Sequence, residues 1–207
     1  MIGEETALSM SGRPMSGTAG LFLRQFWRSP RSIGAALPSS RGLAEAMLAP
    51  IDFAHARTIV ELGPGTGAVT AVIAERLGPA HRYVGIELNP TFWQRLTDSF
   101  PGLAFEQASA EALGEILARH GFGAADAVVC GLPWASLPEV LQGRIFGELD
   151  RHLAPGGMFV TFAYLQGLVL PGAWALRRRL GRHFGHVATT PIVWANVPPA
   201  FAYVCRK

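Results

Sequence analysis

The sequence predicts an α/β protein with a seven-stranded, mostly parallel sheet, helices on both faces and an antiparallel hairpin at the C-terminus. Three observations predict this fold class. From residue 57 onward, short apolar runs alternate with helix-like segments, as in parallel strands joined by crossover helices. A glycine-rich turn follows the first of these runs. The last two apolar runs are separated by Pro198-Pro199 and not by a helix, which favours an antiparallel pair.

The individual elements follow from the apolar periodicity. The predicted strands are 58–62, 83–87, 103–107, 126–130, 157–163, 187–195 and 200–206. The predicted helices between them are 67–77, 90–99, 110–119, 138–151 and 171–184. Asn89 is a typical N-cap ahead of Pro90, because its side-chain oxygen accepts hydrogen bonds from N–H groups that the first helical turn leaves free.

The first 50 residues differ from the rest. Residues 1–19 are small and polar without apolar periodicity, so we predict a mobile tail. Residues 20–50 are predicted to form lid-like helices, and the main domain is predicted to span 51–207. The first of these helices, over 20–29, is amphipathic, with Trp27 on its apolar side. Its opposite side is basic, through Arg24, Arg28 and the nearby Arg31. The second begins at Pro38-Ser39-Ser40.

Length and composition restrict the class of protein. A chain of 207 residues with 49% hydrophobic residues is long enough for one well-buried α/β domain. Cys130 and Cys205 lie in strand-like apolar runs, so we expect core residues and neither a disulfide nor a metal site. Glu4 and Glu5 stand where a signal peptide is positively charged, and no apolar run reaches the ~18 residues of a membrane span. We therefore expect a cytoplasmic protein.

The charges are segregated along the chain. Residues 1–41 contain five arginines and two acids, residues 42–150 six arginines and thirteen acids, and residues 151–207 seven bases and no acid. Two basic flanks around an acidic middle indicate an anionic partner, either a nucleic acid or an anionic membrane surface. The alternative is a compositional bias toward arginine, which supplies seventeen of the eighteen bases.

The segment 59–70 is the most informative, because a buried strand runs into a glycine turn and then into a helix. Gly63, Gly65 and Gly67 lack a Cβ where the backbone turns and approaches a ligand, and the following helix offers free N–H groups. Thr66 belongs to the same turn, and Glu61 lies two residues before it. The spacing G-x-G-x-G differs from the G-x-G-x-x-G of dinucleotide sites. A tight strand-to-helix turn without a ligand would also need glycines.

Polar residues follow the next two strands, at the edge where ligands of open α/β sheets bind. Glu87, followed by Leu88, can hold two ribose hydroxyls. With the glycine turn, this resembles the cofactor site of the Rossmann-like class I S-adenosylmethionine-dependent methyltransferases; the competitor is a dinucleotide site. The resemblance implies S-adenosylmethionine as cofactor and S-adenosylhomocysteine as product. Ser109, next to Ala110, stands where this superfamily commonly has an aspartate facing the adenine amino group. A hydroxyl can also accept a hydrogen bond from that amino group, but more weakly.

The segments after the fourth and fifth strands are predicted to act on the substrate. Gly131-Leu132-Pro133-Trp134 stands where amino-group methylases of nucleic-acid bases carry Asn or Asp before Pro-Pro-Tyr or Leu-Pro-Tyr. Gly131 lacks that acceptor, whereas Trp134 can stack on a ring or a cation, or can pack on the adjoining helix. Tyr164 aims a phenol at the same edge, or is a residue at the border of the core.

Several motifs narrow the resemblance to one family. They are Phe22-Leu23-Arg24, Pro30-Arg31-Ser32-Ile33-Gly34-Ala35, Pro38-Ser39-Ser40, the turn Glu61-Leu62-Gly63-Pro64-Gly65-Thr66-Gly67, Gly131-Leu132-Pro133, and Asn196-Val197-Pro198-Pro199-Ala200-Phe201. Over residues 22 to 205 the chain resembles the bacterial phospholipid N-methyltransferases. The glycine turn is shared with ribosomal RNA adenine dimethylases, so the N-terminal block combined with the late Pro-Pro motif distinguishes the two.

The resemblance implies stepwise methylation of the phosphatidylethanolamine amine, ending at phosphatidylcholine, on the inner face of the cytoplasmic membrane. It implies a phospholipid substrate and an anionic membrane surface as partners, with no nucleic acid and no metal. No carboxylate follows Asp150. We therefore expect Tyr164 and the backbone carbonyls of residues 131–133 to orient the amine, and Trp134 to hold the methylated cation. The late helix adds a second basic group on the side opposite its apolar residues: Arg178, Arg179 and Arg182.

Two other functions remain open at this point. An RNA or DNA adenine methylase would also explain the basic flanks, although Gly131 and the lack of a second RNA-binding domain count against it. A non-catalytic module that binds the cofactor or a membrane is the alternative outside the enzymes.

Overall fold

The computed structural model describes residues 40–169 and 171–207. Residues 1–39 and 170 lie outside the described residues. The predicted tail over 1–19, the predicted helix over 20–29 and the residues Arg24, Trp27, Arg28 and Arg31 are therefore not placed.

The described part contains six α-helices and seven strands. The helices are α1 (Arg41–Leu48), α2 (Ala68–Ala74), α3 (Pro90–Ser99), α4 (Leu113–Arg119), α5 (Glu139–His152) and α6 (Pro171–His183). The strands are β1 (Thr58–Leu62), β2 (Arg82–Glu87), β3 (Ala104–Gln107), β4 (Ala125–Cys130), β5 (Leu153–Tyr164), β6 (His186–Thr189) and β7 (Ala200–Arg206). Asn89 caps α3 as expected, since its side-chain oxygen accepts hydrogen bonds from the N–H groups of Thr91 and Phe92.

All seven strands form one sheet in the order β3-β2-β1-β4-β5-β7-β6. Strands β1 to β5 are parallel, and β7 runs antiparallel to both β5 and β6. The predicted fold class is therefore confirmed. The strand order reverses between β1 and β4, and a ligand of an open α/β sheet binds beside such a reversal, at the carboxyl ends of the strands.

The predicted sixth strand, 187–195, is too long, because the chain leaves the sheet after Thr189. Beyond Thr189 the regular ladder between this edge strand and β7 is interrupted, and only one isolated bridge follows, between Val193 and Ala200. The Thr190 hydroxyl instead accepts a hydrogen bond from the Ala202 N–H at 2.9 Å. Ten residues then separate β6 from β7, so the predicted hairpin has a long connection and not a tight turn at Pro198-Pro199.

Apolar side chains cover both faces of the sheet. Helices α1 and α2 contribute to the cluster on one face, which includes Leu43, Met47 and Val72. Helices α4, α5 and α6 contribute to the cluster on the other face, which includes Phe146 and Leu180. The continuous apolar runs of the parallel strands are explained by this burial on two sides.

Cys130 and Cys205 are free thiols buried in the core, as predicted. Within the described residues, no group of three or more side chains is arranged to bind a metal ion. In the same part of the chain, no helix is both long and apolar enough to cross a bilayer.

Candidate active site

The glycine turn lies between β1 and α2 at the carboxyl edge of the sheet. Gly63, Gly65 and Gly67 all have positive φ, at 68°, 58° and 84°, a conformation that other residues adopt at a cost. The turn therefore requires glycine for its backbone at all three positions.

The three glycines differ in what surrounds them. A Cβ on Gly63 would lie 2.7 Å from Leu132 Cδ2, and one on Gly67 would lie 2.9 Å from Phe100 Cε2. These two glycines allow the protein to pack against itself. A Cβ on Gly65 would meet nothing closer than the Gly63 carbonyl oxygen at 4.0 Å. Only Gly65 therefore leaves open space, which corrects the expectation that all three glycines make room for a ligand.

Glu87 ends β2 next to this turn, and only 1% of its surface is exposed. Its carboxylate accepts hydrogen bonds from the N–H of Gly65 at 3.0 Å and from the N–H of Asn89 at 2.8 Å. Burial raises the pKa of this carboxyl, and the backbone N–H groups partly oppose the rise. Glu87 lines a narrow cleft whose other walls include Gly63, Leu88, Ala108, Ser109, Ala110 and Leu132. The structure thus brings most of the predicted cofactor-binding residues together.

Ser109 caps the 3-10 turn Ala110–Ala112 and lies in this cleft. Its hydroxyl donates to Glu111 Oε2 at 3.1 Å, and Glu111 Oε1 is paired with Arg144 at 3.1 Å. The Ser109 oxygen also accepts a hydrogen bond from the Glu111 N–H at 3.4 Å, so it is left with one further acceptor lone pair. Glu111 was not among the predicted site residues, although the sequence places it two residues after Ser109, at the start of a predicted helix.

Glu61 faces the α1–α2 side of β1 and does not line the cleft. Only 2% of its surface is exposed, and its Oε2 accepts hydrogen bonds from the Tyr83 hydroxyl at 2.6 Å and the Thr70 hydroxyl at 2.8 Å. Thr70 belongs to α2, so the carboxylate ties β1 to the helix that follows the glycine turn. Direct contact between Glu61 and the cofactor stays a prediction.

Burial raises the pKa of Glu61 from 4.5 to about 7, although the hydrogen bonds from Tyr83 and Thr70 oppose the rise. A carboxyl whose pKa is higher in the folded chain stabilises the fold at low pH and loses this contribution as the pH rises through the folded pKa. We expect Glu61→Gln, which mimics the protonated form, to match the wild type near pH 4.5 and to be more stable above pH 7, by up to about 3 kcal/mol.

Urea unfolding of both proteins at the two pH values measures this difference. A stability difference between them that does not change with pH would show that Glu61 titrates normally.

The segment after β4 packs directly on the glycine turn. A Cβ on Gly131 would lie 2.6 Å from the Gly63 carbonyl oxygen, so neither Asn nor Asp fits here without moving the turn. The Leu132 carbonyl accepts from the Trp134 N–H and the Pro133 carbonyl from the Ser136 N–H. Of the three carbonyls expected to orient an amine, only that of Gly131 has no partner within residues 40–169 and 171–207.

Trp134 is 3% exposed and lies in the core. Its ring packs against Phe146, with centroids 4.9 Å apart, and its Nε1–H donates to the Thr161 hydroxyl at 2.9 Å. Because both its faces and its polar atom are engaged inside the protein, this placement argues against Trp134 holding a methylated cation and favours the alternative packing role.

We expect Trp134→Phe to destabilise the fold by about 2 kcal/mol, because it removes the hydrogen bond to Thr161 and leaves a small void. Thermal unfolding measures this cost. The proportions of mono-, di- and trimethylated product should stay those of the wild type. A selective loss of the last methylation would return Trp134 to the cation site.

Tyr164 is the last residue of β5 and lies on the α1 side of the sheet. Its ring packs edge to face against Phe162, with the ring centroids 5.4 Å apart. Its hydroxyl has no hydrogen-bond partner in the described part of the chain. Burial raises the pKa of this half-buried phenol, so it stays neutral at physiological pH. Its position at the carboxyl edge agrees with the expectation that it faces the substrate.

The late Pro-Pro motif contacts the start of α1. The Ser40 N–H donates to Asn196 Oδ1 at 2.9 Å, and Asn196 Nδ2 donates to the Pro198 carbonyl at 2.6 Å. Asn196 is 3% exposed. Two motifs that are 156 residues apart thus meet at the carboxyl edge. Ser40, the first described residue, is thereby held at this edge.

The arginines of α6 are not equivalent. Arg178 and Arg182 are exposed, as expected of residues that face an anionic surface. Arg179 is only partly exposed, and its guanidinium lies over the Phe146 ring at 5.8 Å from the centroid. Arg179 therefore packs partly on the core, and its contact with an anionic surface stays a prediction.

The cleft residues fit an adenosine-containing cofactor. Gly65 leaves room for close approach, the buried Glu87 carboxylate suits a pair of hydroxyls, and Ser109 presents an acceptor. The enclosed volume is ≈ 30 Å³. Ligand pockets are usually ~300–1,000 Å³. We therefore expect the cleft to widen when the cofactor binds.

Known proteins are similar to this chain in sequence and in fold. A family model described as a methyltransferase domain matches residues 59–157. Ornithine lipid N-methyltransferase of Singulisphaera acidiphila is 36% identical over 90% of this chain and 94% of its own length. The tRNA1(Val) (adenine(37)-N6)-methyltransferase of Actinobacillus pleuropneumoniae serotype 7 is 29% identical over 59% of this chain and 49% of its own. A TehB-like SAM-dependent methyltransferase from Corynebacterium glutamicum has a TM-score of 0.57 at 16% identity, covering 91% and 98% of the two chains.

With its sheet order, glycine turn and Glu87, this chain is a class I methyltransferase that uses S-adenosylmethionine. Within that class it belongs to the family of bacterial lipid N-methyltransferases, since it is 36% identical to the Singulisphaera enzyme over 189 residues, which are almost the whole of both chains.

Proposed function

We propose that this enzyme methylates the amine of phosphatidylethanolamine in three steps, ending at phosphatidylcholine. One observation carries the proposal within the lipid N-methyltransferase family. The half-buried Tyr164 hydroxyl and the Gly131 carbonyl both stand at the carboxyl edge without a partner among the described residues. Two free acceptors at the carboxyl ends of the neighbouring strands β4 and β5 suit a small amine that donates hydrogen bonds.

S-adenosylmethionine supplies an electrophilic methyl group on its sulfonium. The protein has to place an amine lone pair in line with that methyl group. A primary ammonium has a pKa near ~10.4, and removing it from water lowers that value, so the amine loses its proton to solvent before the transfer. Tyr164 then accepts a hydrogen bond from the remaining N–H and orients the nitrogen. After each transfer the nitrogen has one N–H fewer, so this contact weakens in the later steps.

Ornithine lipid is the second candidate substrate, because the Singulisphaera relative is named for it. Ornithine, like phosphatidylethanolamine, combines an amine with an anionic group. An adenine in RNA is less well supported, although a tRNA methyltransferase is among the relatives. Base-amine methylases place Asn or Asp where this chain has Gly131, and a Cβ there would lie 2.6 Å from the Gly63 carbonyl.

Lipid mass spectrometry tests the proposal. The chain is expressed in a bacterial host that makes phosphatidylethanolamine but neither phosphatidylcholine nor ornithine lipid, and the purified enzyme is given each lipid and an adenine-containing RNA in turn. Mono-, di- and trimethylated phosphatidylethanolamine is the expected result. Methylation of ornithine lipid alone would support the second candidate, and methylation of RNA alone would overturn the assignment to lipids.

We also propose a location on the inner face of the cytoplasmic membrane. Each basic residue near an anionic surface contributes about 1 kcal/mol of attraction. We expect the wild type to float with anionic vesicles and to be released by salt. Replacing Arg24, Arg28 and Arg31 together by glutamate should abolish flotation.

A matched pair of double variants tests the described part of the chain. Glutamate at the exposed positions Arg178 and Arg182 should weaken flotation, whereas glutamate at the exposed positions Arg95 and Arg119 should not. Equal flotation of all the variants would leave these helices with a purely structural role.

A further inference from the structure

The described part also contains a cavity that is separate from the cofactor cleft. It has a volume of ≈ 500 Å³ and lies between α6, the residues after β5 and the β6–β7 pair. Its walls are mostly apolar and include Leu165, Leu168, Trp174, Phe201 and Tyr203. Neither the glycine turn nor any other predicted cofactor residue lines it. A cavity of this size and character is typical of a binding site for an apolar ligand.

One charged side chain, Arg177, lines this cavity. Its guanidinium lies beside the hydroxyl of Tyr203, whose surface is only 2% exposed. No carboxylate pairs with Arg177 within the described residues, and the sequence contains no acid after Asp150. Arg177 is itself exposed, so a guanidinium without a carboxylate partner stands at the open side of an apolar cavity, where it is suited to the anionic group of a largely apolar molecule.

The cavity also adjoins the place where the amine is expected. Leu165 follows Tyr164 directly, and Phe201 follows Ala200, which is the register partner of Tyr164. Because successive residues of a strand point to opposite faces, the cavity opens on the α6 face and Tyr164 lies on the α1 face, so a ligand in the cavity reaches the proposed amine position by passing over the carboxyl edge of the sheet.

The exposed apolar residues lie at the same edge of the sheet. In the described part, the large apolar side chains with high exposure are Val140, Val169, Trp174, Trp194 and Val197. All of them belong to the segments that directly follow the carboxyl ends of β4, β5 and β6. Exposed apolar residues concentrated at one edge mark an interaction surface, and tryptophans are suited to the boundary between lipid and water.

We propose that the cavity binds an acyl chain of the amino lipid substrate while Arg177 binds its anionic group, an inference that rests on the proposed function. The amine then lies on the Tyr164 side of the edge, and the acyl chain is held by Leu168, Trp174 and Phe201. The anionic group is the phosphate of phosphatidylethanolamine or the carboxylate of ornithine lipid. The enzyme thereby recognises an amine that is attached to a lipid and excludes free water-soluble amines.

Short-chain lipid tests this without any membrane. Calorimetry measures the affinity of the full chain, with S-adenosylhomocysteine bound, for dihexanoylphosphatidylethanolamine kept below its micelle concentration. Arg177→Gln should weaken the affinity by about tenfold or more, because a charge-assisted hydrogen bond is lost. Ala173→Phe should weaken it similarly by filling the cavity, and Arg95→Gln, an exposed arginine on α3, should leave it unchanged.

Two further measurements distinguish binding of the acyl chain from binding of the anionic headgroup alone. O-phosphoethanolamine has the same amine and phosphate without acyl chains, and it should bind at least about tenfold more weakly than the short-chain lipid. Binding of the lipid should shift the tryptophan fluorescence to shorter wavelength, and this shift should be lost in Trp174→Phe. Equal binding of the two compounds would show an anion site without an acyl subsite and would overturn the proposal.

Unchanged lipid affinity in both Arg177→Gln and Ala173→Phe would overturn it as well. If the wild type still methylates phosphatidylethanolamine vesicles in that case, the proposed function stands and only the subsite is wrong. If the wild type neither binds nor methylates either amino lipid, the proposed function fails together with the subsite.

Discussion

Glu87→Ala and Gly65→Val are each expected to abolish measurable binding of S-adenosylmethionine. Glu87 is the buried carboxylate of the cleft, and alanine leaves two ribose hydroxyls and the N–H groups of Gly65 and Asn89 without their acceptor. Two charge-assisted hydrogen bonds at ~1.5–3 kcal/mol each correspond to a loss of about 100-fold or more.

Gly65→Val acts on the same site from the turn. Valine is strained at a φ of 58°, and its side chain would enter the open space next to Gly65, where we expect the cofactor to approach the turn. Calorimetry measures cofactor affinity, and circular dichroism checks that both variants are folded. The control is Glu75→Ala, since Glu75 is exposed and paired with Arg41 away from the cleft. Wild-type affinity in either folded variant would contradict the placement of the cofactor.

Tyr164→Phe is expected to lower turnover by more than about tenfold while the affinity for S-adenosylmethionine stays unchanged. The phenol oxygen aligns the nucleophile, so its loss is felt in the transition state and not in cofactor binding. A tenfold loss corresponds to about 1.4 kcal/mol, which is within the range of one hydrogen bond. The first methylation should suffer most, because the primary amine has the most N–H groups to donate.

Steady-state kinetics with each methylated intermediate measures this ordering. Phe162→Leu is the control, because it changes the ring that packs on Tyr164 but keeps the hydroxyl. If Tyr164→Phe lost stability but no turnover, Tyr164 would be a residue at the border of the core.

The strand and helix pattern could be predicted because it depends on local periodicity and burial. The bounds of β1 and β7 match the prediction, and α3 begins directly after its predicted N-cap, Asn89. Buried parallel strands have continuous apolar runs, and a cap is recognised from its side chain and the proline after it. The cofactor class followed from the turn and Glu87, since a ligand at this edge needs these residue types at the ends of consecutive strands.

The directions of side chains in the strands near the site and in the loops that follow them could not be predicted in this way. Trp134 looked like a free aromatic at the site, but the turn after Pro133 directs it into the core beside Phe146. The hydrogen bonds of Glu61 to Thr70 and Tyr83 on the α1–α2 side of the strand were likewise not visible in the sequence, and its contact with the cofactor stays a prediction. In both cases the direction of the side chain depends on partners far away in sequence.

By itself, the sequence determined the α/β architecture, the position of the cofactor turn and the family, because these depend on periodicity and on short motifs. Only the tertiary structure decided that, of the three turn glycines, Gly65 alone has open space around it, that Ser40 and Asn196 meet, and that the exposed Arg177 lines an apolar cavity. The physical reason is that each of these depends on contacts between segments far apart in the chain. Such contacts exist only after the two faces of the sheet have been covered and the loops at its carboxyl edge have packed against one another.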